Sequence, residues 1–440
     1  MCPCPVETSV KRCCVSQSAS KPGALSGLVV LDLSRILAGP TCTQVLGDLG
    51  AEIIKIERPG RGDDTRGWGP PFLKDAEGNE TSESAYYLSS NRNKSSVAID
   101  LATSEGQKLI ADLAVRADIL VENFKVGDLK RRGLDYETLK ALNPGLIYCS
   151  ISGFGQTGPY AHRAGYDFLI QGMGGSMSLT GFPDDEGGTE TKCGVGIADV
   201  MCGMYATVSI LAALNHRHAT GEGQHVDISL LDAQVSWLIN QGVAYLVSGD
   251  VPGRLGNGHP TIVPYETFPA ADQSFIIAVG NDAQFQKFCE VAGAPELADA
   301  PLFAKNADRV RNRKQLIPLL RRLTIDKTAA EWIAALEAAG VPCGPVNDLG
   351  QVFADQQILE REMRIRLPHP VSGTVDLIGS PINLEKTPVS YGKAPPMLGA
   401  DTADILRRYL HISDETLQDL SGKGIVGLGT SSEHKDKSAK

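Results

Sequence analysis

The chain has 440 residues, of which 42% are hydrophobic and 21% are charged, and its formal net charge is −10 at pH 7. This composition is typical of a globular protein with more than one lobe and excludes fibrous and disordered classes. The acidic balance, with no long Lys/Arg block, argues against nucleic-acid and anionic-membrane partners. Because no stretch reaches about 20 apolar residues, we expect a soluble protein.

The two ends differ from the rest of the chain. Residues 1–24 carry three basic residues, one acidic residue and a Ser-rich stretch. This resembles an organellar presequence, so we expect a mitochondrial location, with a cytoplasmic one as the alternative. No metal is expected there, because no standard zinc spacing is formed by the extension's four cysteines, Cys2, Cys4, Cys13 and Cys14. Residues 429–440 form a polar tail.

Strands and helices alternate after residue 24. A β-branched strand at 28–33, a helix ending at Leu49 and a strand at 51–56 form a compact βαβ unit. Further strands are predicted at 96–101, 119–121 and 146–151, and a helix at 106–116. We therefore predict an α/β fold with a Rossmann-like large domain and an open parallel sheet, whose ligands bind beyond the carboxyl ends of the strands.

The second half of the chain predicts a smaller α+β domain. A helix without formal charge is expected at about 200–214, and the composition changes to Gly, Pro, Asn and His after Asp250. A strand at 274–279 and helices at 282–292 and 329–339 follow, and the Gly/Pro-rich segment 340–345 is interpreted as a linker. The predicted domains are 25–230 (large), 231–345 (linker helix and small domain) and 346–428 (return to the large domain).

Two glycine patterns match the dinucleotide-binding spacing G-x-G-x-x-G. They begin at Gly153 and at Gly422. Neither pattern lies between a strand and an apolar helix, as the fingerprint requires. We interpret both as turns, so the sequence does not support a nicotinamide or flavin cofactor or a dehydrogenase.

Asp199 stands where a Gly-rich segment gives way to the uncharged helix, and two interpretations are open. It is either an N-cap that accepts hydrogen bonds from the first free amides, or a carboxylate positioned at a helix start for chemistry. In the second case it could act as a nucleophile that forms an acyl anhydride, at a place that also favours an oxyanion.

Several basic residues fall at predicted strand ends or on nearby loops. A phosphate-bearing ligand would suit positive charge at the carboxyl edge of the sheet. The candidates are Arg58, Arg92, Lys94, Lys125, Lys130 and Arg131. In the predicted small domain, the flexible segment Gly256–His259 is interpreted as a lid over the site, with a simple turn as the alternative.

The order of these motifs resembles the class III CoA-transferase family over about residues 25–410. The matching segments are Leu37-Ala38-Gly39-Pro40, Gly47 to Glu52, Ile54 to Pro59, Val121-Glu122-Asn123-Phe124, Gly153 to Pro159, Gly165-Tyr166-Asp167, the Asp199 helix and Thr220 to Gln224.

The resemblance implies two chains threaded through each other as interlocked rings, and CoA as a substrate with no tightly bound cofactor. It implies that the nucleophile is Asp199, which attacks the acyl-CoA thioester to give an anhydride and then an aspartyl-CoA thioester. It also implies that CoA is contacted by Leu37, Ala38, Arg58, Asn123, Phe124, Lys125 and Arg131. The stretch 99–102 corresponds to the adenine side.

The same family contains α-methylacyl-CoA racemases, in which a histidine acts as base at the position of Tyr166. A tyrosine, with a reference pKa of about 10, is a poor base at neutral pH, so transfer is favoured over racemisation. The motifs look most like those of succinyl-CoA-dependent dicarboxylate transferases, but they do not choose among glutarate, hydroxymethylglutarate, itaconate and malate. A CoA-binding protein without catalysis is a further alternative.

Overall fold

The computed structural model describes residues 22–429. Residues 1–21, with the predicted presequence and its cysteines, and residues 430–440 of the predicted tail lie outside the described residues. The strands are β1 (Val29–Asp32), β2 (Glu52–Glu57), β3 (Phe72–Lys74), β4 (Glu80–Ser84), β5 (Lys94–Ile99), β6 (Ile119–Glu122), β7 (Ile147–Ser152), β8 (His225–Ser229), β9 (Tyr265–Pro269), β10 (Ser274–Ala278), β11 (Cys343–Pro345), β12 (Arg364–His369), β13 (Gly373–Ile378) and β14 (Val426–Gly427).

The helices connect and cover these strands. They are α1 (Ala38–Asp48), α2 (Ala85–Ser89), α3 (Ser104–Ala114), α4 (Tyr136–Leu142), α5 (Asp167–Met173), α6 (Ser176–Leu179), α7 (Ile197–Thr220), α8 (Leu230–Ser236), α9 (Ile239–Ser248), α10 (Asp282–Val291), α11 (Glu296–Asp299), α12 (Asn306–Arg311), α13 (Arg313–Thr324), α14 (Ala329–Ala338), α15 (Leu349–Ala354), α16 (Gln356–Glu360), α17 (Thr402–Leu410) and α18 (Asp414–Gly422).

A seven-stranded sheet in the order β14-β5-β2-β1-β6-β7-β8 organises the large lobe. All neighbouring pairs are parallel except β14 with β5. The predicted α/β fold with an open, mostly parallel sheet is therefore confirmed. Because β2 and β6 lie on opposite sides of β1, the strand order reverses between β1 and β6, and a crevice is expected at the carboxyl ends of these two strands.

Alternate residues of each strand are buried on opposite faces of the sheet. Val30 and Val121 pack with α1 and α7 on one face, whereas Leu31 and Leu120 pack with α3, α17 and α18 on the other. Burial on both faces explains the near-continuous apolar runs in the sequence.

Helix α7 is longer than predicted, spanning 24 residues instead of about 15. Within the described part of the chain it is the one helix long and apolar enough, by length and composition, to cross a membrane. It lies against α1 in the core, where a Cβ at Gly203 would be only 2.5 Å from the Ala38 carbonyl oxygen. The missing side chain therefore lets the two helices approach closely.

A separate sheet of β11, β10 and β9 carries the second lobe. Its core contains Phe268, Phe275, Phe288 and Trp332, and among residues 22–429 it is separate from the two cores that flank the large sheet. The interpretation of residues 340–345 as a linker is wrong in part, since Cys343–Pro345 pairs with β10 as a strand. This strand could not be predicted, because three residues in a Gly/Pro-rich segment show no alternation of apolar and polar side chains.

Two fully buried ion pairs lie under the carboxyl half of β1. Lys94 Nζ is 3.1 Å from an Asp32 oxygen, and Lys55 Nζ is 2.9 Å from an Asp63 oxygen. Burial alone would raise the pKa of Asp32, but Lys94 and Lys55 hold this pKa below its usual value. The folded state thus depends on mutual compensation of these charges.

Replacing Asp32 with Asn should lower the free energy of unfolding by about 3–5 kcal/mol, because the change leaves buried ammonium groups without a compensating charge. Urea denaturation at pH 7 measures the loss. The control is Asp112→Asn, which breaks an exposed helical pair with Lys108 and should cost about 0.5 kcal/mol or less. Equal, small effects of both changes would contradict the prediction.

Candidate active site

A cavity of about 530 Å³ opens at the carboxyl ends of β1 and β6, where the strand order reverses. It brings together the candidate nucleophile and six of the seven residues predicted to contact CoA. These are Asp199, Leu37, Ala38, Asn123, Phe124, Lys125 and Arg131. Segments separated by up to 162 positions in sequence thus meet in one crevice, as the parallel topology requires.

Arg58 lies in an adjoining cavity of about 370 Å³. That cavity is also lined by Asp100, Leu101 and Ala102, the stretch that the resemblance placed on the adenine side. Phe124 lines both cavities. The two spaces adjoin at Phe124 and are together called the groove, in which Asp199 lines one cavity and Arg58 lines the other.

The turn between β1 and α1 is held by buried polar groups. Ile36 has a φ of 73°, an unfavourable value for a β-branched residue. Its N–H donates to both carboxylate oxygens of Asp63 at 3.3 Å, and Lys55 Nζ donates to the Ser34 carbonyl at 2.9 Å. Burial alone would raise the pKa of Asp63, but Lys55 lowers it to about 2, so Asp63 stays ionised.

Asn123 ties the segment after β6 to the turn after β1. Its Oδ1 accepts the Arg35 N–H at 2.9 Å, and its Nδ2 donates to the Arg35 carbonyl at 2.7 Å. The Arg35 guanidinium lies 5.6 Å from the centre of the Phe124 ring. The segments that follow β1 and β6 are therefore fixed to each other at the point where the strand order reverses.

Asp199 is not the N-cap of α7, so that interpretation is wrong. The helix begins at Ile197 after Gly196, and Asp199 is its third residue. The cap is supplied from α5, because Asp167 Oδ1 accepts the N–H of Ala198 at 2.8 Å and that of Asp199 at 3.3 Å. The Asp199 carboxylate forms no hydrogen bond within residues 22–429 and faces the cavity.

Because of this cap, the first amides of α7 do not form the oxyanion site that was expected at the helix start. The amides of Ala198 and Asp199 already donate to Asp167 and are not free for a substrate oxygen. Asp167 Oδ2 in turn accepts from Gln171 Nε2 at 2.7 Å, and Gln171 Oε1 accepts the Cys193 N–H at 2.8 Å. Asp167 is therefore fixed from both sides and holds the start of α7 in place.

The electrostatic surroundings of Asp199 disfavour its ionised form. Burial, together with the nearby charge of Asp167, raises the pKa of Asp199 to about 7. Near neutral pH, Asp199 is therefore protonated to a larger extent than an exposed aspartate. A carboxylate that is partly removed from water is a better nucleophile than one that is fully hydrated.

Two of the basic candidates lie elsewhere. Arg92 is buried and bound to Asp48 at 2.9 Å through Nε, and Lys94 is the first residue of β5, at the amino end of the strand, with Asp32 as partner. Their assignment to the carboxyl edge is wrong. Both residues precede the strand predicted at 96–101, and the start of a parallel strand lies at the edge opposite the carboxyl ends.

Gly256–His259 does not line the groove. Asn257 and Gly258 border a separate cavity of about 620 Å³, and Arg313 Nη2 donates to the His259 carbonyl at 2.6 Å. Within one chain this segment is thus anchored to the second lobe. It does not cover the Asp199 cavity of its own chain.

The sequence interpretation missed two residues at the site, Arg35 and Arg163. It also missed that Asp167 caps α7. Arg163 lines the cavity with Tyr166 and lies over the rings of Phe154 and Tyr160. Tyr166 is exposed and also lines the cavity. Asp167 lies 32 positions before Asp199, and no local spacing connects the two residues.

Among residues 22–429, no cluster of three His, Cys, Asp or Glu side chains could hold a metal ion.

A model of the CoA-transferase family III matches residues 25–402. A succinate–glutarate CoA-transferase of Agrobacterium fabrum is 46% identical over 382 residues, covering 87% of this chain and 94% of the relative. The mouse succinyl-CoA:glutarate CoA-transferase is 40% identical over 402 residues, covering 91% and 90%. The crystal structure of a CAIB/BAIF family protein from Brucella suis superposes with a TM-score of 0.79 at 46% identity, covering 88% of this chain and all of that one.

The chain therefore belongs to the class III CoA-transferases, as the order of its motifs indicated. It is an enzyme that transfers CoA and uses CoA as a substrate.

Replacing Asp167 with Asn should lower the pKa of Asp199, because the amide still accepts the α7 amides but no longer carries a like charge. The ionised form of this candidate nucleophile then persists to lower pH, so the acidic limb of the profile of kcat/KM for the acyl-CoA should move to lower pH. Measuring that profile checks the shift. The exposed Asp185→Asn is the control, and an unmoved limb in Asp167→Asn would contradict the prediction.

Proposed function

We propose that this enzyme moves CoA from succinyl-CoA to glutarate, with Asp199 as the nucleophile. The observation that carries the proposal is the free carboxylate of Asp199 at the inner end of a groove between β1 and β6. The relatives with 40–46% identity whose names specify succinate and glutarate support this choice of acids.

The reaction proceeds through acyl exchange on Asp199. The carboxylate attacks the thioester carbonyl of succinyl-CoA, which forms a mixed anhydride and releases the CoA thiolate. The thiolate attacks the aspartyl carbonyl of the anhydride, so that an aspartyl-CoA thioester forms and succinate leaves. Glutarate then attacks the aspartyl thioester, and the released thiolate attacks the glutaryl carbonyl of the new anhydride. Glutaryl-CoA and the free Asp199 carboxylate result.

Binding and orientation are assigned to the groove residues. Arg58 and Arg131 would bind the phosphate groups of CoA, and the backbone around Leu37, Asn123 and Lys125 would guide the pantetheine arm toward Asp199. Because the thioester is exchanged and never hydrolysed, neither ATP nor a metal is required. Water must be excluded while the anhydride exists.

A panel experiment tests the acids. The enzyme is incubated with succinyl-CoA and equimolar glutarate, hydroxymethylglutarate, itaconate, malate or butyrate, and new CoA esters are identified by mass. Glutaryl-CoA should form fastest and in equal amount to succinate. Faster transfer to another acid would overturn the choice of glutarate. Exchange of the α-proton of a 2-methylacyl-CoA with solvent deuterium, without an acceptor acid, would indicate a racemase instead.

Asp199→Asn should lower the rate of CoA transfer by at least about 10³-fold, the scale of loss on removing a nucleophile. The same substitution should raise the free energy of unfolding above pH 7. Because the pKa of Asp199 is raised from 3.8 to about 7 in the folded chain, the unfolded chain ionises first. The parent should therefore lose stability from about pH 4 until pH passes the folded pKa near 7, and Asp199→Asn should show no such loss. Thermal denaturation at low and high pH measures the difference. Full activity in Asp199→Asn would remove Asp199 from the mechanism.

Arg58→Ala and Arg131→Ala should each weaken CoA binding by about 1.5–3 kcal/mol, or roughly 10- to 150-fold in Kd. The effect should be smaller at Arg131, because this side chain pairs with Asp128 and must give up that contact. Isothermal calorimetry with CoA measures both changes. Arg116→Ala, an exposed arginine outside the groove, is the control. Unchanged affinity in both groove variants would refute the assignment.

We also propose the interlocked homodimer that the resemblance implies. Support comes from apolar side chains on and after α9 that are exposed in a single chain, with Leu246, Val247 and Val251 each at least 79% exposed. Such a surface is unfavourable in water unless another surface covers it. Mass photometry at nanomolar concentration should find dimers without dissociation, and a monomer would contradict the proposal. The two relatives described above come from a bacterium and a mouse and do not indicate a compartment, so the proposal of a mitochondrial location rests on the sequence of residues 1–24.

A further inference from the structure

We infer that Glu122 is a positioning residue for CoA binding: its carboxylate fixes the segment Asn123–Lys125 without touching the ligand. This inference rests on the proposed placement of CoA in the groove. Glu122 is the last residue of β6 and directly precedes that segment. It lines neither of the two cavities that form the groove.

The carboxylate acts through the backbone. Glu122 is only 5% exposed, and its Oε2 accepts the N–H of Phe124 at 2.8 Å. Phe124 lines both cavities of the groove, so a change in its position would affect the space at both ends. Together with the Asn123 contacts to Arg35, this bond fixes the direction of the chain as it leaves the sheet.

Glu122 is itself supported from the neighbouring strands. Ser150 on β7 lies directly opposite it in register, and Ser150 Oγ is 3.0 Å from His225 Nε2 on β8. The His225 ring stacks on Tyr136 with 5.2 Å between ring centres. Glu122 is thus enclosed between the groove segment and a side cavity of about 240 Å³.

A second acid lies in the same row of the sheet, on the strand beyond β7, and it also accepts a backbone N–H from a loop. Asp227 on β8 lies in register with Ser150, and its carboxylate accepts the Gln156 N–H at 3.0 Å. It thereby holds the turn after β7, of which Gly153 lines the Asp199 cavity. Acidic side chains on this face of the sheet therefore fix two of the loops that surround the groove.

Packing alone does not account for an acid at position 122. Burial raises the pKa of Glu122 to about 7, although the Ser150 hydroxyl and the Phe124 amide partly offset this effect. An apolar side chain in the same place would avoid this cost of desolvation. An apolar side chain at position 122 could not, however, accept the hydrogen bond from the Phe124 N–H.

Two substitutions separate the acceptor from the charge. Glu122→Gln keeps an oxygen that accepts the Phe124 N–H, whereas Glu122→Leu fills similar volume without an acceptor. We expect Glu122→Leu to raise the Kd of CoA and the KM of succinyl-CoA about tenfold. Its kcat at saturating substrate should remain within about twofold, and Glu122→Gln should stay within about threefold of the parent in all three quantities. Glu137→Leu, in an exposed acid at the same side cavity, is the matched control.

Circular dichroism and thermal denaturation establish that each variant is folded, and Glu122→Ala replaces Glu122→Leu if the latter does not fold. Unchanged CoA affinity in Glu122→Leu or Glu122→Ala would overturn the inference, as would an equal loss in Glu122→Gln. A fall in kcat in proportion to the affinity would also overturn it. Because CoA affinity is measured by calorimetry without an acceptor acid, failure of the parent to form glutaryl-CoA would refute the proposed function and leave this test intact.

Discussion

The arrangement of the site depends on charges buried beneath the end of β1. Asp32 accepts from Lys94 and from the hydroxyls of Ser34 and Thr43. Lys55 bonds the Ser34 carbonyl and Asp63, which in turn holds the strained turn at Ile36. These contacts fix where α1 begins. Because α7 packs closely on α1 through Gly203, they also fix the distance between the Leu37 turn and Asp199.

At the start of α7 one acid is fixed so that another remains free. Asp167 satisfies the helix amides, a task that a side chain from α7 or its N-cap residue could have performed. Asp199 consequently needs no local partner and keeps its carboxylate available in the cavity. The like charge of Asp167 also raises the pKa of Asp199. In the proposed mechanism, fold stability and reactivity are thus coupled at this position, since the ionised form that would attack the thioester is the form that the folded chain disfavours.

The large sheet could be predicted because its strands are buried on both faces and alternate with helices of clear apolar character. Residues whose partners are distant in sequence could not be. The start of α7 depends on Asp167, and Arg92 is committed to Asp48, 44 positions earlier. Cys343–Pro345 becomes a strand only because β10 offers an edge. In contrast, the Leu37, Asn123 and Arg131 segments follow strands that end at one edge, so their meeting in one cavity follows from parallel topology.

The groove of a single chain also has a chemical shortcoming. An aspartyl anhydride hydrolyses if water reaches it, and Asp199 is only half-buried, beside a Tyr166 side chain that is 63% exposed. The one flexible Gly-rich segment that the sequence offered as a cover is held by Arg313 beside a different cavity. In the proposed mechanism, the anhydride would therefore need protection that this segment of the same chain does not give. A second copy that buries the apolar surface around α9 and covers the groove would meet both requirements at once, which links the proposed dimer to the proposed chemistry.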